Sequence, residues 1–456
     1  MSAVCASPLG NTSGETSCRL SSRQLAEHGR HFESLLAVSQ RLAEGRTARI
    51  VTLGGSVPYG NNCIRPSGEH HQACSWPARL VHALRLAYPA SVIAHDNLAS
   101  GGNGVVHILS TLGIVLREPT DLILLDSLVN DAWRSGSLQA SQALEALVRT
   151  AKTLAPAAAI LVVEAAAPGL GDEVQREKRK VLEHYSIATL DWKAATERLP
   201  SLWRPGPIAG STARDINHPS WETHQMISDA ITALWGRAAR RDCRRSRIEN
   251  YLPSSSSSSA AANVRSPPGL AWPPTLWSAS DLANFDVCLA PMSVYTSSGA
   301  TATAAAAAAT ASAGAAGATG CVDARCGWRF YADRPNKYGW IASEVGARIS
   351  FELRFGAAPR FCLTYLRSYE RVGRIQLSIP TVGFVTVVDA LWTDRASQND
   401  VLWFGTTEGH DLTISYNTMH VPNLRPNTTH SLEARLLDTA GREGGSKFKI
   451  VQLVSC

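Results

Sequence analysis

Apolar residues along this chain fall into two different rhythms. From about residue 22 to 240, short aliphatic runs alternate with amphipathic stretches. "LAEHGRHFESLLAVSQRLAEG" carries helical spacing at Leu25, Phe32, Leu35, Leu36 and Leu42. "ARIVTL" (48–53) then reads as a buried strand, and "SWPARLVHALRLAY" (75–88) as a helix with Ser75 as N-cap and Pro77 in its first turn. "SVIAHDN", "TDLILLD" and "AAILVVEA" predict further strands. "GVVHILSTLGIVL", "SQALEALVRTAKTL" and "SWETHQMISDAITALWG" predict helices. Apolar strands separated by helices imply a parallel sheet covered on both faces.

From about 339 onward the period changes to two. "ARISFELRF", "RFCLTYLRSY", "RIQLSIP", "GFVTVVDALW", "DVLWFG", "DLTISY", "HSLEARLL" and "KFKIVQLVSC" alternate between apolar and polar positions and are split by turn residues. That pattern predicts an all-β sandwich or jelly roll, with "DLANFDVCLA" (281–290) as its first strand. Between the two regions lies "SSSSSSAAA" with a Pro-Pro pair, which reads as a linker. The expected organisation is a disordered 1–21, an α/β domain over 22–242, a linker over 243–268 and a β-domain over 269–456. The β-domain contains an Ala-rich insertion, 298–320, with no large apolar face to bury, and disorder is expected there.

The 456 residues are 45% hydrophobic and 18% charged, enough for two sizeable cores. The net charge of +6 is local: "RAARRDCRRSR" (237–247) holds six arginines and one aspartate, and the remainder is near +1. No aromatic residues interleave with those arginines, so they read as a solvated helix end or linker, and no nucleic-acid partner is expected. Ten cysteines include no C-x-x-C pair, so no metal site is expected, and nothing calls for a cofactor. The even cysteine count and the sequons at Asn11 and Asn427 point to an extracellular or secretory setting, although "MSAVCASPLGNTSGE" contains no apolar signal-peptide core. No apolar run is long enough to span a membrane. Cys63 and Cys74, in the polar loop "NNCIRPSGEHHQACSW", are the expected disulfide pair.

In an open parallel sheet, ligands bind beyond the carboxyl ends of the strands. "GGS", with Ser56, follows the first strand; "NLASGGNG" follows the second; "SLVND", with Asn130, follows the third; "DINHPS", with Asp215 and His218, precedes the last helix. Singly, these are turns and caps. Together they suit acyl transfer: a serine nucleophile needs a base, which His218 can be, and an acidic residue to orient it, which Asp215 can be. The Ser56 and Gly102 N–H groups and the Asn130 side-chain amide are the candidate oxyanion donors. The G-x-S-x-G elbow of α/β-hydrolases is absent, since the residues are Gly54-Gly55-Ser56-Val57-Pro58.

Over residues 47–236 the ordered set resembles the SGNH (GDSL-type) hydrolases. "GGS" is similar to their Gly-Asp-Ser block, Asn97 to Gly102 to Asn-x-x-x-x-Gly, "LVND" to Gly-x-Asn-Asp, and "DINH" to Asp-x-x-His. Gly55 stands where the family has Asp, and Leu128 where it has Gly. The resemblance implies a flavodoxin-like three-layer α/β/α fold and serine esterase chemistry with the roles just named. The β-region resembles galactose-binding-like jelly rolls. Its Tyr365, Tyr369, Trp392, Trp403 and Tyr416 are candidates for stacking on sugars, though most fit core packing better. His70-His71 reads as a solvated loop, His224 as structural and Asp131 as a helix cap. The first expectation is an ester hydrolase, with O-acetyl groups on a polysaccharide as its substrate. The alternatives are a non-catalytic carbohydrate-binding protein on the same scaffold, or an O-acyltransferase. Oligomeric state is not readable from the sequence.

Overall fold

A computed structural model describes residues 27–68, 71–134, 136–208, 212–251, 273–277, 293–296, 327–334, 337–369, 371–391, 397–406, 418–437 and 445–456. The chain divides into two compact units: residues up to Val105 with Glu118–Leu282, and Val106–Arg117 with Ala283–Cys456. The expected disordered N-terminus, most of the expected linker, the Ala-rich insertion and the strands expected at 281–290 and 411–416 lie outside the described residues.

In the first unit, parallel strands β2 (Ala48–Gly54), β3 (Ile93–Asn97), β4 (Leu122–Asp126), β5 (Ala159–Val163) and β6 (Ala188–Leu190) are ordered 6-5-4-2-3 across the sheet. Renumbered among themselves, that is the 2-1-3-4-5 order of doubly wound flavodoxin-like sheets. A two-residue strand, β1 (Gly29–Arg30), adds an antiparallel edge against Thr189 and Leu190. Leu122 to Leu125 have no solvent exposure. Each such side chain contributes about 1.5–3 kcal/mol by leaving water, which is why β4 reads as an unbroken aliphatic run.

The helices along this part of the chain are α1 (Leu36–Ala43), α2 (Ser56–Tyr59), α3 (Trp76–Ala87), α4 (Val105–Val115), which from Val106 on is grouped with the second unit, α5 (Leu128–Arg134), α6 (Ser137–Leu154), α7 (Asp172–His184), α8 (Trp192–Arg198) and α9 (Trp221–Tyr251). Three features depart from the periodicity. The helical spacing that begins at Leu25 does not give one helix, because Gly29 pairs at the sheet edge and His31 takes a left-handed φ of 54° before a 3-10 turn and α1. Helix α7, strand β6 and helix α8 were not anticipated. Helix α9 runs on through the arginine-rich stretch to Tyr251.

Beyond α9, residues 273–277 lie against α6 and α7. The Leu276 and Trp277 N–H groups donate to the two carboxylate oxygens of Glu145 at 2.7 and 3.1 Å, and Arg149 donates to the Pro273 carbonyl at 3.1 Å. Glu145 itself is fully buried.

The second unit contains an antiparallel β-sandwich. One sheet is ordered β10 (Trp328–Arg334), β11 (Lys337–Ala342), β19 (Phe448–Ser455), β13 (Arg360–Arg367), β16 (Gln398–Gly405), β17 (Thr418–His420), with β9 (Ser293–Thr296) also on β19; β17 pairs parallel to β16. The other is β12 (Arg348–Arg354), β18 (Thr429–Leu436), β14 (Arg374–Ile379), β15 (Phe384–Asp389). Inward residues of both sheets form one core, with Phe361 and Phe404 stacked at 4.5 Å. Tyr365 lies in that core, stacked on Phe448, and Trp403 is also buried, so neither is open to a sugar; Tyr369 is 40% exposed. Trp392 and Tyr416 lie outside the described residues.

Candidate active site

The switch in strand order falls between β2 and β4, and the chain leaving each carries one of the sequence-marked groups. After β2 the backbone turns sharply at Gly54, whose φ of 152° and whose approach to the Asp126 carbonyl leave no room for a side chain. Ser56 then opens α2 and is 5% exposed. Gly55 answers the departure from the family's aspartate. A Cβ there would lie 1.7 Å from Asn130 Nδ2, so the side-chain amide of Asn130 occupies the space beside residue 55.

Three strand ends are stitched together here. The Gly55 N–H donates to the Asp126 carbonyl at 3.0 Å. Asn97, at the end of β3, donates from Nδ2 to the Pro58 carbonyl at 3.0 Å and accepts the Ala99 N–H at 3.1 Å. The Ser100 N–H donates to the Gly54 carbonyl at 3.0 Å, and Gly102 turns the loop with a φ of 91°. Asn130, in α5, donates from Nδ2 to the Asn103 carbonyl at 3.1 Å. Ser56, the Gly102 loop and Asn130 therefore share one rim.

Asp215 and His218 sit on β8 (Arg214–Pro219), which pairs with β7 (Pro205–Pro207) in a short hairpin. His218 Nδ1 and Asp215 Oδ2 are 2.6 Å apart. Asp215 also accepts from the Asn217 N–H at 3.0 Å and from Asn62 Nδ2 at 2.9 Å. Burial works against its ionised form, but the hydrogen bonds and charge of His218 and the nearby backbone N–H groups outweigh it, and the carboxyl lies below its ordinary range. Helix α2 packs against β8, which brings Ser56 to the side of the rim that carries His218. No hydrogen bond joins Ser56 Oγ to His218.

Asn62 gave no signal in the sequence, because its partner is 153 positions away. It has a left-handed φ of 58° and directly precedes Cys63, which is disulfide-bonded to Cys74 with a Cα–Cα distance of 5.7 Å. Both cysteines are fully buried. Cys243 and Cys456 are each in a disulfide as well, and the free thiol of Cys362 has its pKa pushed up to about 12 by burial.

His224 is wholly buried, accepts the Trp76 N–H at Nδ1, and is pushed down to about 3 by burial and then by the charge of Arg79. His70 lies outside the described residues, and the ring of His71 lies 5.8 Å from that of Tyr59. Among the described residues, no group of three His, Cys, Asp or Glu could hold a metal ion, and no helix is long and apolar enough to cross a membrane.

No family model matches the chain, and no curated protein does. Solved structures do. A two-domain esterase (CEX) active on acetylated mannans aligns over 94% of this chain and 97% of its own, with a TM-score of 0.56 and 15% identity. The chain shares that two-domain fold. The same esterase co-crystallized with mannopentaose aligns at 14% identity with a TM-score of 0.56, over 94% of this chain and 96% of that one. Axe2, an acetylxylan esterase from Geobacillus stearothermophilus, covers 41% of this chain and 94% of its own at 20% identity and a TM-score of 0.34.

Proposed function

We propose that the protein is a serine esterase that removes O-acetyl groups from a polysaccharide. Ser56 is the nucleophile, His218 the general base and Asp215 the residue that orients it. The N–H groups of Ser56 and Gly102 and the side-chain amide of Asn130 receive the oxyanion. The observation that carries the reading is the 2.6 Å Asp215–His218 pair on the rim that also holds Ser56, at the switch point of the sheet. A triad acid must stay ionised to support the imidazolium, and Asp215 has its pKa held low.

With Nδ1 engaged by Asp215, Nε2 is the nitrogen left for chemistry. It takes the Ser56 hydroxyl proton as Oγ attacks the acetyl carbonyl carbon. The tetrahedral intermediate collapses, the sugar alkoxide leaves with the proton from Nε2, and water repeats the sequence on the acetyl-enzyme to release acetate. Hydrogen bonds among triad members are commonly long before substrate arrives and tighten in the complex. The choice of acetylated glycan rests on the likeness to the mannan esterase, and an extracellular or secretory setting fits the buried Cys63–Cys74 disulfide.

The test is acetate release from acetylated mannan and xylan, alongside an activated acetyl ester, by wild type, Ser56→Ala and His218→Ala. Each variant should fold and lose turnover by more than about 10³-fold, since the pair acts as a unit. A folded Ser56→Ala protein with wild-type turnover overturns the esterase reading. Turnover of the activated ester without acetate from any glycan overturns the substrate. Transfer of acetyl to a sugar in preference to water would make the protein an acyltransferase.

A further inference from the structure

Two neighbouring residues of α5 reach the same loop. Asn130 donates to the Asn103 carbonyl, and Asp131 Oδ1 accepts the N–H of Val105, the first residue of α4, at 2.7 Å. The other oxygen of Asp131 accepts from the Ser127 hydroxyl at 2.8 Å and from Lys178 Nζ at 2.7 Å. Lys178 arrives from α7 and also donates to Ser127 Oγ at 3.1 Å. Asp131 is fully buried and Lys178 is 1% exposed.

An ion pair this deep is a poor source of stability, because removing two charges from water consumes most of their attraction. An apolar pair of the same volume would hold α5 and α7 together about as well. What an apolar pair cannot do is accept the Val105 N–H. That bond fixes the start of α4, and with it the Gly102–Asn103 turn, to the helix that carries Asn130. Lys178 supplies the counter-charge that lets a carboxylate do this inside the domain.

We infer that Asp131 and Lys178 are positioning residues that hold the Gly102 loop and Asn130 in register as one oxyanion-binding unit. The inference rests on the esterase reading above. Neither residue touches substrate; the pair acts through the two donors it aligns. A misplacement of about 1 Å by a residue remote from the chemistry can lower turnover by about 10²-fold.

Two variants test it on the full chain with an activated acetyl ester. Val105→Pro deletes the N–H that Asp131 accepts, at the one helical position where proline is well tolerated. Asp131→Leu combined with Lys178→Met removes the clamp without leaving a lone buried charge. Each should lower kcat by about 10²-fold with KM within about threefold of wild type. Asp131→Asn combined with Lys178→Met keeps an oxygen for Val105 and should recover most of that loss. Placed in an Asn130→Ala background, Val105→Pro should add less than about a threefold further loss, because residues of one unit are not additive. Either clamp variant, folded and at wild-type kcat, overturns the inference. Unfolding of both in thermal melts assigns the clamp to stability alone and overturns it too. If Ser56→Ala remains active, the esterase reading itself fails. An inactive Ser56→Ala beside fully active clamp variants rejects only this inference.

Discussion

Gly55→Ala is the smallest change that tests the geometry of the oxyanion side. The added Cβ would stand 1.7 Å from Asn130 Nδ2 and 3.1 Å from the Asn103 carbonyl. Ordinary contact begins at 3.4 Å, so the amide must withdraw by about 1.7 Å. The φ of Gly55 is −93°, outside the left-handed region, but its ψ of −148° and the 3.1 Å approach to the Asn103 carbonyl put a part of the strain on the backbone as well. Asn130 is only half-buried, and its displacement breaks one hydrogen bond, which costs about 0.5–1.5 kcal/mol of fold stability. Catalysis should suffer more. Loss of one oxyanion donor lowers kcat by about 10²–10³-fold, or roughly 3–4 kcal/mol of transition-state stabilisation. Steady-state kinetics on an activated acetyl ester, with a thermal melt for each protein, measure both quantities. Gly55→Ala should match Asn130→Ala in kcat, and the double variant should be no worse than either. A Gly55→Ala protein that folds and keeps kcat within twofold of wild type would refute the reasoning, as would losses that multiply in the double variant.

Four further outcomes are expected. Asn62→Ala removes a donor from the Asp215 carboxylate and should lower kcat about tenfold, the size of one hydrogen bond to a charged group; an unchanged kcat removes Asn62 from the site. Replacing Cys63 and Cys74 together by alanine should lower unfolding free energy in urea by about 2–3 kcal/mol, and a change below about 0.5 would mean the loop is held by other contacts. Asp126 is fully buried, and burial raises its carboxyl well above its ordinary range, so the folded state keeps the proton that the unfolded chain releases. Wild-type stability should therefore fall relative to Asp126→Asn as pH rises from about 4 towards neutrality, and parallel stability–pH curves would contradict this. Trp133, 56% exposed one helical turn beyond Asn130, should serve as a platform for the sugar. Trp133→Ala should raise KM for acetylated mannan at least about threefold while sparing the small activated ester; equal effects on both would reject that role.

Strands β2, β4 and β5 were legible because they are buried on both faces and read as aliphatic runs, whereas β6, equally buried but three residues long, is too short to show one. The rim was legible because strand ends in such a sheet are where chemistry collects. Helix α7, "DEVQREKRKVLEH", was not, because its buried face contains Gln175 and Lys178 as well as Val174, Val181 and Leu182. A pattern that equates burial with apolarity misses a helix whose inward residues are polar and paired. Residue Asn62 escaped for another reason: long-range hydrogen bonds leave no local periodicity. In the β-region the sugar-stacking candidates could not be sorted from core residues, since a β-strand aromatic looks the same in sequence whichever face it takes. Tyr365 proved to lie in the sandwich core, whereas Trp403 is buried on the opposite face of its sheet.

The Glu145 clip bears on how the protein is made. Glu145 belongs to α6, yet both of its oxygens take backbone N–H groups from Leu276 and Trp277, more than 100 positions later. As the chain leaves the ribosome, α6 emerges long before these partners do. Until then a carboxylate destined for full burial has the Tyr185 hydroxyl as a donor but lacks both of its main-chain donors, and burying it so under-paired would be costly. The first unit therefore completes its interior only after residue 277 has emerged, and a chain cut at the end of the helix-and-sheet pattern, near 242, would be released with that seam open. Translation through the intervening stretch sets the earliest moment at which the first unit can close with its full set of donors.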